Sequence, residues 1–515
     1  VVACARGARW GWAIAAGVLA LPQLASAAPR YDGHALIEVE IDDLASLDVL
    51  VQAGADVLDE RPGPGKVQLR VPPNARAQLE ASGLPFTVHV ADLQPRVDAE
   101  RARLAVAGPV SHQAGFFDDF RDLQTNEAHL DALAAEFPDR VELLDVGLSL
   151  EGRPIRAISI YAGDDPNPPA ILFTGTIHAR EWLSTTTAMC IADTFAREDG
   201  TDPALAEAIG AVRLMVVPLL NPDGYVWSWD VERYWRKNRR DGIGVDLNRN
   251  FSWEWGGPGS GADPSEENYR GPSALSEPES QALADFMEAR PDLVAHSDLH
   301  TFGQLILYPW GYTNDPSPDD DVLQQLAQAQ VDAMADASGA EYIPLQGADL
   351  YPAAGVLDDW AYGELGLMSF APELRPSFEG PGDFVVAPSE IGPACAENIA
   401  AALVLMQWAS GQEPGGGTTT GGPEPGDTTG DVDTGALDGT TDDGGGEGPD
   451  PSAEDEDGTA GLQGTTTGID PGGEDSDSGG DGGAIESGGC GCHQGWAPDG
   501  VWFGVLVLLA LRRRN

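Results

Sequence analysis

Basic residues are scarce in this chain of 515: 29 against 83 acids, with Lys66 and Lys237 the only lysines, for a formal net charge of −54. Nucleic acid is bound largely by Lys and Arg that neutralise phosphates, and no basic stripe exists here to do so, which argues against it as a partner. The excess of acid bears on solubility and association, and would suit a saline medium. Cysteine is also sparse, at positions 4, 190, 395, 490 and 492. Cys190 and Cys395 are the only pair in the region that reads as globular. Each lies in an apolar, helical-looking run where buried free thiols are common, so a disulfide after export stays open. No apolar run reaches the ~20 residues that a membrane helix usually needs. No Gly-x-Ser-x-Gly elbow is present, which disfavours a serine nucleophile on an α/β sheet.

The two short apolar stretches that do exist lie near the ends. Arg6 and Arg9 precede Trp10–Leu21 and then Ala25-Ser-Ala27-Ala28. That order of charge, apolar core and small residues predicts a signal peptide over 1–28 and hence export, to secretion or to the cell surface. Residues 411–489 carry 20 acids and no Lys or Arg among Gly, Thr and Pro. Such a stretch buries too little apolar surface to repay its ordering entropy, so a disordered linker is expected. Cys490-Gly-Cys492, Val501–Leu511 and Arg512–Arg514 follow. This 490–515 segment resembles the tripartite C-terminal sorting signal of myxobacterial surface proteins, and so implies sorting machinery as a partner.

Between the ends lie two folded regions. Residues 30–103 read as a small α/β unit. Ala35–Ile41, Val67–Val71 and Phe86–Val90 alternate with period two, and Leu44–Ala53 and Asn74–Ser82 read as helices. The charged stretch Arg96–Arg103 reads as an exposed connector, where nicking concentrates. Over 115–410, strand runs such as Ala170–Thr174, Leu293–Leu299 and Leu367–Ala371 alternate with helical patterns, as in an α/β fold around a buried sheet.

The chemistry is concentrated in Thr176-Ile-His-Ala-Arg-Glu-Trp182. A strand ending in a turn that opens a helix would aim His178 and Glu181 at one metal ion. A catalytic zinc takes three protein ligands, and the third candidate lies in Leu293-Val-Ala-His-Ser-Asp-Leu-His-Thr301. His296 and His300 share one face by period two, so spacing alone does not choose between them.

Further motifs stand in order: Asn221-Pro-Asp-Gly224, Tyr234-Trp-Arg-Lys237, Val245-Asp-Leu-Asn-Arg-Asn250, Tyr269-Arg-Gly-Pro272, Ser276-Glu-Pro-Glu279, Leu307-Tyr-Pro309, Tyr351–Tyr362 and Phe370-Ala-Pro-Glu-Leu374. Together they resemble the zinc carboxypeptidases of the A/B type, and 30–103 resembles that family's pro-segment. The resemblance implies a central mixed eight-stranded sheet flanked by helices, preceded by a ferredoxin-like α+β pro-domain. It implies one Zn2+ held by His178, Glu181 and His300, with Asp246 behind His178. Glu373 would be the general base and Arg236 the oxyanion stabiliser. Asn248, Arg249, Arg180 and Tyr351 would hold the terminal carboxylate of a peptide or protein, and an endoprotease would activate the zymogen by a cut near Arg101–Arg103.

Asp358 falls where the B-type enzymes carry the acid that selects C-terminal Lys or Arg. Val356-Leu357 in place of Gly-Ser, together with Gly311 and Gln346, departs from the B-type pattern, and Phe302 stands where tyrosine is usual. Two rival readings use the same scaffold: an amidohydrolase of cell-wall peptides or N-acyl amino acids, and a non-enzymatic surface binding protein.

Overall fold

The computed structural model describes residues 29–43, 45–58, 65–106, 115–198, 200–378 and 382–412. The expected signal peptide, the linker from 413 onward and the sorting signal lie outside them. No helix among the described residues is long and apolar enough to cross a membrane.

The N-terminal module runs β1 (Ala35–Ile41), α1 (Ala45–Gln52), β2 (Asp56–Val57), β3 (Gly65–Val71), α2 (Pro73–Ser82), β4 (Phe86–Val90). Its sheet has the order β2-β3-β1-β4 with every neighbour antiparallel, a ferredoxin-like arrangement. The period-two residues Ile37, Val39, Val67 and Leu69 face Leu47, Leu50 and Leu79 of the two helices. Pro73 opens α2 in the first turn, where its missing N–H costs nothing, and Gly83 closes it in the left-handed region at φ 77°.

The stretch Arg96–Arg103, expected as an exposed connector, is instead helical, within α3 (Gln94–Val106). It is held there by its own charges. Arg96 pairs with Asp383 at 3.2 Å, Glu100 with Arg233 at 2.7 Å and Arg103 with Asp119 at 2.7 Å, while Arg101 donates to the Val231 carbonyl. A helix tied down in this way is a poor protease substrate.

The larger region contains α4 (Leu123–Glu136), β5 (Val141–Leu148), β6 (Pro154–Ile160), β7 (Ala170–Gly175), α5 (Trp182–Ala196), α6 (Pro203–Ala211), β8 (Arg213–Val217) and α7 (Pro222–Asp230). It continues with α8 (Pro278–Glu288), β9 (Leu293–Gly303), β10 (Leu305–Tyr308), α9 (Asp320–Ser338), β11 (Ile343–Gln346), α10 (Gly347–Leu350), α11 (Leu357–Leu365), β12 (Met368–Ser377) and α12 (Ile391–Ala409). The eight strands form one mixed sheet of order β11-β10-β12-β9-β7-β8-β6-β5. Its centre, β12-β9-β7-β8, is parallel and buried on both faces. Alternate residues of β7 serve the two cores. Ile171 and Phe173 pack with Met189, Phe195 and Leu405 on one side, and Leu172 packs with Leu283, Leu357 and Trp360 on the other.

The question left open by the cysteines is answered across this core. Cys190 of α5 and Cys395 of α12 form a disulfide with Cα atoms 5.8 Å apart, closing a separation of 205 residues. By loop-closure entropy such a bond is worth on the order of 5 kcal/mol.

β9 and β12 run further than their apolar stretches suggest. The extra length carries His300 and Glu373 as paired neighbours in register. Both are polar residues on central strands because they face the cleft and not the core.

Candidate active site

The site forms at the carboxyl ends of the central parallel strands, where a doubly covered sheet offers its crevice. After β7 the chain turns at Thr176, whose φ of 61° is rare for a β-branched residue. Local bonds hold it there: its amide donates to Ser184 Oγ and its hydroxyl to the Pro218 carbonyl, both at 2.8 Å. The turn delivers His178 and Glu181 just before α5.

His178, Glu181 and His300 come together as a fully buried cluster whose candidate ligand atoms all lie within 4.8 Å of one another. His178 Nδ1 is 2.8 Å from Glu181 Oε1, and His300 Nδ1 is 3.4 Å from Glu181 Oε2. The two Nδ1 atoms are 3.2 Å apart. The outer ring nitrogens face carboxylates: His178 Nε2 lies 3.3 Å from Asp246 Oδ1, and His300 Nε2 lies 2.9 Å from Asp298 Oδ2. With their protons drawn outward, both rings turn a lone pair toward a carboxylate. Three electron-pair donors converging in a dry site repel one another unless a cation joins them, so the arrangement fits a His2Glu zinc site. His296 does not enter the cluster. It is buried between Thr174 and Ser369.

The surroundings keep these acids charged. Burial alone would lift the Glu181 carboxyl, but His178 and His300 hold it below its ordinary range. Burial likewise acts upward on Asp246, and is outweighed by Arg236 and His178, which hold it well below. Arg236 Nε and Nη2 each donate to Asp246 Oδ2 at 3.2 Å, so this arginine is braced beside the cluster.

A cleft with about 380 Å3 of open space adjoins the cluster, lined by His300, Glu373, Asn248, Arg249, Tyr351 and Asp358 along with small and apolar residues. Arg249 Nη2 donates to the Tyr351 hydroxyl at 3.0 Å, and its Nε donates to the Gly259 carbonyl. Gly355, at φ 75°, lets the 351–358 segment lie against this loop. A Cβ there would stand 2.6 Å from the Arg249 carbonyl oxygen. Asn248 Oδ1 accepts from the Leu357 amide at 2.9 Å.

Asp358 and Asp359 open α11 side by side. Asp359 accepts from the Gly311 and Tyr312 amides at 2.7 and 3.1 Å, which ties down the loop lining the cleft. Asp358 is buried at the cleft wall, and burial pushes its carboxyl up to about 6. Phe302 packs among Phe378 and Phe384.

Arg180 and Arg236 stand outside that lining. Arg180 is buried, lies over the Phe384 ring at 4.1 Å and pairs with Asp56 of the N-terminal module at 3.1 Å. The residue missed from sequence is Asp298. It lies midway between His296 and His300, and the period that placed both histidines on one face places it there too.

Fold and site together define a metal-dependent hydrolase built on a mixed α/β sheet. A zinc carboxypeptidase family model (Peptidase M14) matches residues 126–401. Zinc carboxypeptidase A 1 of Anopheles gambiae is 33% identical over 429 residues, 79% of this chain and 96% of that protein. Carboxypeptidase A2 of Mus musculus is 32% identical over 395 residues, 73% and 93% of the two chains. Among solved structures, thrombin activatable fibrinolysis inhibitor superposes with a TM-score of 0.69 at 25% identity, over 74% of this chain and all of that one. Carboxypeptidase A from Helicoverpa armigera gives 0.64 at 27%, over 74% and 98%. The chain belongs to the zinc carboxypeptidase family and is a zinc metallocarboxypeptidase, a hydrolase using one zinc.

Proposed function

We propose that the protein is an exported carboxypeptidase that removes single residues from peptide C-termini with a preference for Lys and Arg, and that residues 30–103 hold it as a zymogen. The observation that carries this reading is the shared cleft: Glu373, the Asn248–Arg249–Tyr351 group and Asp358 line one cavity beside His300. His178, Glu181 and His300 are the zinc ligands in this reading. When bound, zinc supplies Lewis acidity toward the scissile carbonyl and the attacking water.

The protein side chains do the rest. Glu373 takes a proton from the water and passes it to the departing amine. Arg236, braced by Asp246, faces the negative charge that develops on the carbonyl oxygen, where a preorganised cation is worth most. Arg249 and Asn248 hold the terminal carboxylate under Tyr351, with Arg180 assisting once it is released from Asp56. A planar guanidinium suits that carboxylate because it can bind both oxygens. Asp358 meets the cationic end of a Lys or Arg side chain, while Leu307, Val356 and Ala371 line the stem. An apolar side chain would leave the buried acid unpaired, which is how it discriminates.

The zymogen reading is supported by the Asp56–Arg180 pair and by the apolar seam in which Tyr31, Leu58 and Val97 pack with Tyr234, Phe302 and Phe384. Export, by the signal peptide at 1–28, and surface display, by the tag at 490–515, rest on the sequence patterns described above. An endoprotease would activate the zymogen.

Mass spectrometry of a mixed peptide library, incubated with the protease-activated protein with and without a chelator, tests the catalytic part of this reading. Stepwise loss of C-terminal Lys and Arg that stops on chelation is expected. Chelator-sensitive loss of apolar residues would sink the Asp358 argument alone. Failure of the folded, zinc-loaded protein to trim any peptide would shift the reading to the amidohydrolase or the binding protein.

A further inference from the structure

The central strand β9 carries His296, Asp298 and His300 on one face, all within 2% of full burial. Its neighbours are in register with them: Thr174 of β7 stands beside Asp298, and Ser369 of β12 beside His296. Four contacts link the set. Ser369 Oγ is 3.0 Å from His296 Nδ1, His296 Nε2 is 3.0 Å from Thr174 Oγ1, Thr174 Oγ1 is 2.6 Å from Asp298 Oδ1, and Asp298 Oδ2 is 2.9 Å from His300 Nε2.

The donors and acceptors along this chain have one consistent solution. An ionised carboxylate only accepts, so the single Thr174 hydroxyl proton is directed to Asp298. Thr174 Oγ1 must then accept from His296, which places the His296 proton on Nε2. His296 Nδ1 is left to accept from the Ser369 hydroxyl. Burial pushes the His296 imidazole down to about 4, in keeping with a neutral ring carrying one proton. At the far end Asp298 accepts the Nε2 proton of His300, which leaves the His300 Nδ1 lone pair turned toward His178 and Glu181.

We propose that Asp298 is a positioning residue that fixes the tautomer and orientation of His300, and that the buried Thr174–His296–Ser369 chain fixes Asp298 in turn. The inference rests on the proposed role of His300 as a zinc ligand and goes beyond it. The site has two carboxylate-backed histidines, Asp246 behind His178 and Asp298 behind His300. Asp246 is also braced by Arg236, a cation. Asp298 sits instead in a neutral hydrogen-bond relay, between the Thr174 hydroxyl and the His300 ring. A carboxylate that orients a histidine ligand typically contributes 10–100-fold in metal affinity. Thr174 and His296 act one and two bonds further out, where the effect is smaller.

Zinc affinity, measured by chelator competition on the intact protein, tests the proposal independently of turnover, with thermal unfolding run alongside to show that each variant is folded. Asp298→Ala is expected to weaken zinc binding about 10–100-fold, and Thr174→Val by a few-fold. The visible spectrum of the cobalt-substituted protein should change for Asp298→Ala, because the geometry of one imidazole ligand changes. His300→Ala is the control for the underlying assignment. If His300→Ala keeps the parent affinity, the ligand assignment fails and this inference fails with it. If His300→Ala loses zinc while folded Asp298→Ala binds it as tightly as the parent, only the positioning role is overturned. Should Asp298→Ala not fold, Asp298→Asn and Thr174→Val decide: weakened zinc binding in both supports the relay, and parent affinity in both overturns it.

Discussion

The two ends of the cleft are built differently. At the metal end the donors are held in place on central strands or at their mouths: Asp246 Oδ1 stands 3.3 Å behind His178 Nε2, Asp298 is hydrogen-bonded behind His300, and the Thr301 amide donates to Glu181 Oε2 at 3.0 Å. At the pocket end one carboxylate, Asp358, sits among small and apolar residues, of which Leu307 and Ala371 come from strands and Gly311, Gly347, Leu350, Ala353 and Val356 from loops and short helices. Chemistry requires atoms placed to within tenths of an ångström, and bonded strands provide that. Selection among side chains needs a shape and one charge, which loops can vary without disturbing the sheet.

The sharpest way to break this contrast is at the metal end. Glu373→Gln keeps the size and the strand pairing but removes the base. We expect kcat to fall by about 1,000-fold, within the range for lost general-base catalysis, with KM and zinc content little changed. Steady-state kinetics on a peptide ending in Lys, with metal analysis of the same sample, check this. A loss below about tenfold would remove Glu373 from the proton-transfer role.

Much of the metal end was legible because its residues come in short, locally ordered motifs. His178 and Glu181 are three apart beside an apolar strand, and His300 follows another. Asp298 was equally readable, since a His-x-Asp-x-His stripe puts all three side chains on one face of a strand, yet its role depends on Thr174 from a strand 124 positions away. The choice between His296 and His300 could not be made from spacing, and three-dimensional proximity makes it. The disulfide was hidden for a similar reason: helical runs far apart in sequence do not announce that their cysteines meet. The ends of β9 and β12 were misjudged because their polar residues face a cleft, which breaks the apolar pattern used to find strands. Helix α3 was read as a connector because its charges suggest solvent, whereas Glu100 is buried against Arg233.

The N-terminal module offers a second, smaller test, because it sets a charge of its own against the cleft. Asp56 lies between Arg180 at 3.1 Å and Arg70 at 3.2 Å, and all three are nearly out of water. Asp56→Ala would leave two buried guanidiniums facing each other, and breaking a buried pair typically costs about 3–5 kcal/mol. That cost falls on the docked state, so the uncleaved protein should open more often and show at least tenfold more activity than the uncleaved parent. The activity of the fully cleaved enzyme should be unchanged, because Asp56 belongs to the removed module. Equal activity of the two uncleaved forms would show that the apolar seam, and not this ion pair, keeps the cleft covered.

The smallest effect belongs to the pocket end and is a matter of pH. Burial raises the Asp358 carboxyl to about 6, so it is mostly neutral below that pH and mostly charged above it. A substrate Lys, with a pKa near ~10.4, keeps its charge throughout that range. The ratio of kcat/KM for a peptide ending in Lys to that for one ending in Leu should therefore rise several-fold between about pH 5 and 7, as the carboxylate forms. Titration of Glu373 or of the metal site acts on both substrates alike and cancels in the ratio. Asp358→Asn should flatten the ratio across the same range while leaving the individual pH profiles their common shape. A ratio that does not change with pH in the parent enzyme would mean that Asp358 does not meet the substrate side chain, and the pocket would then select by shape alone.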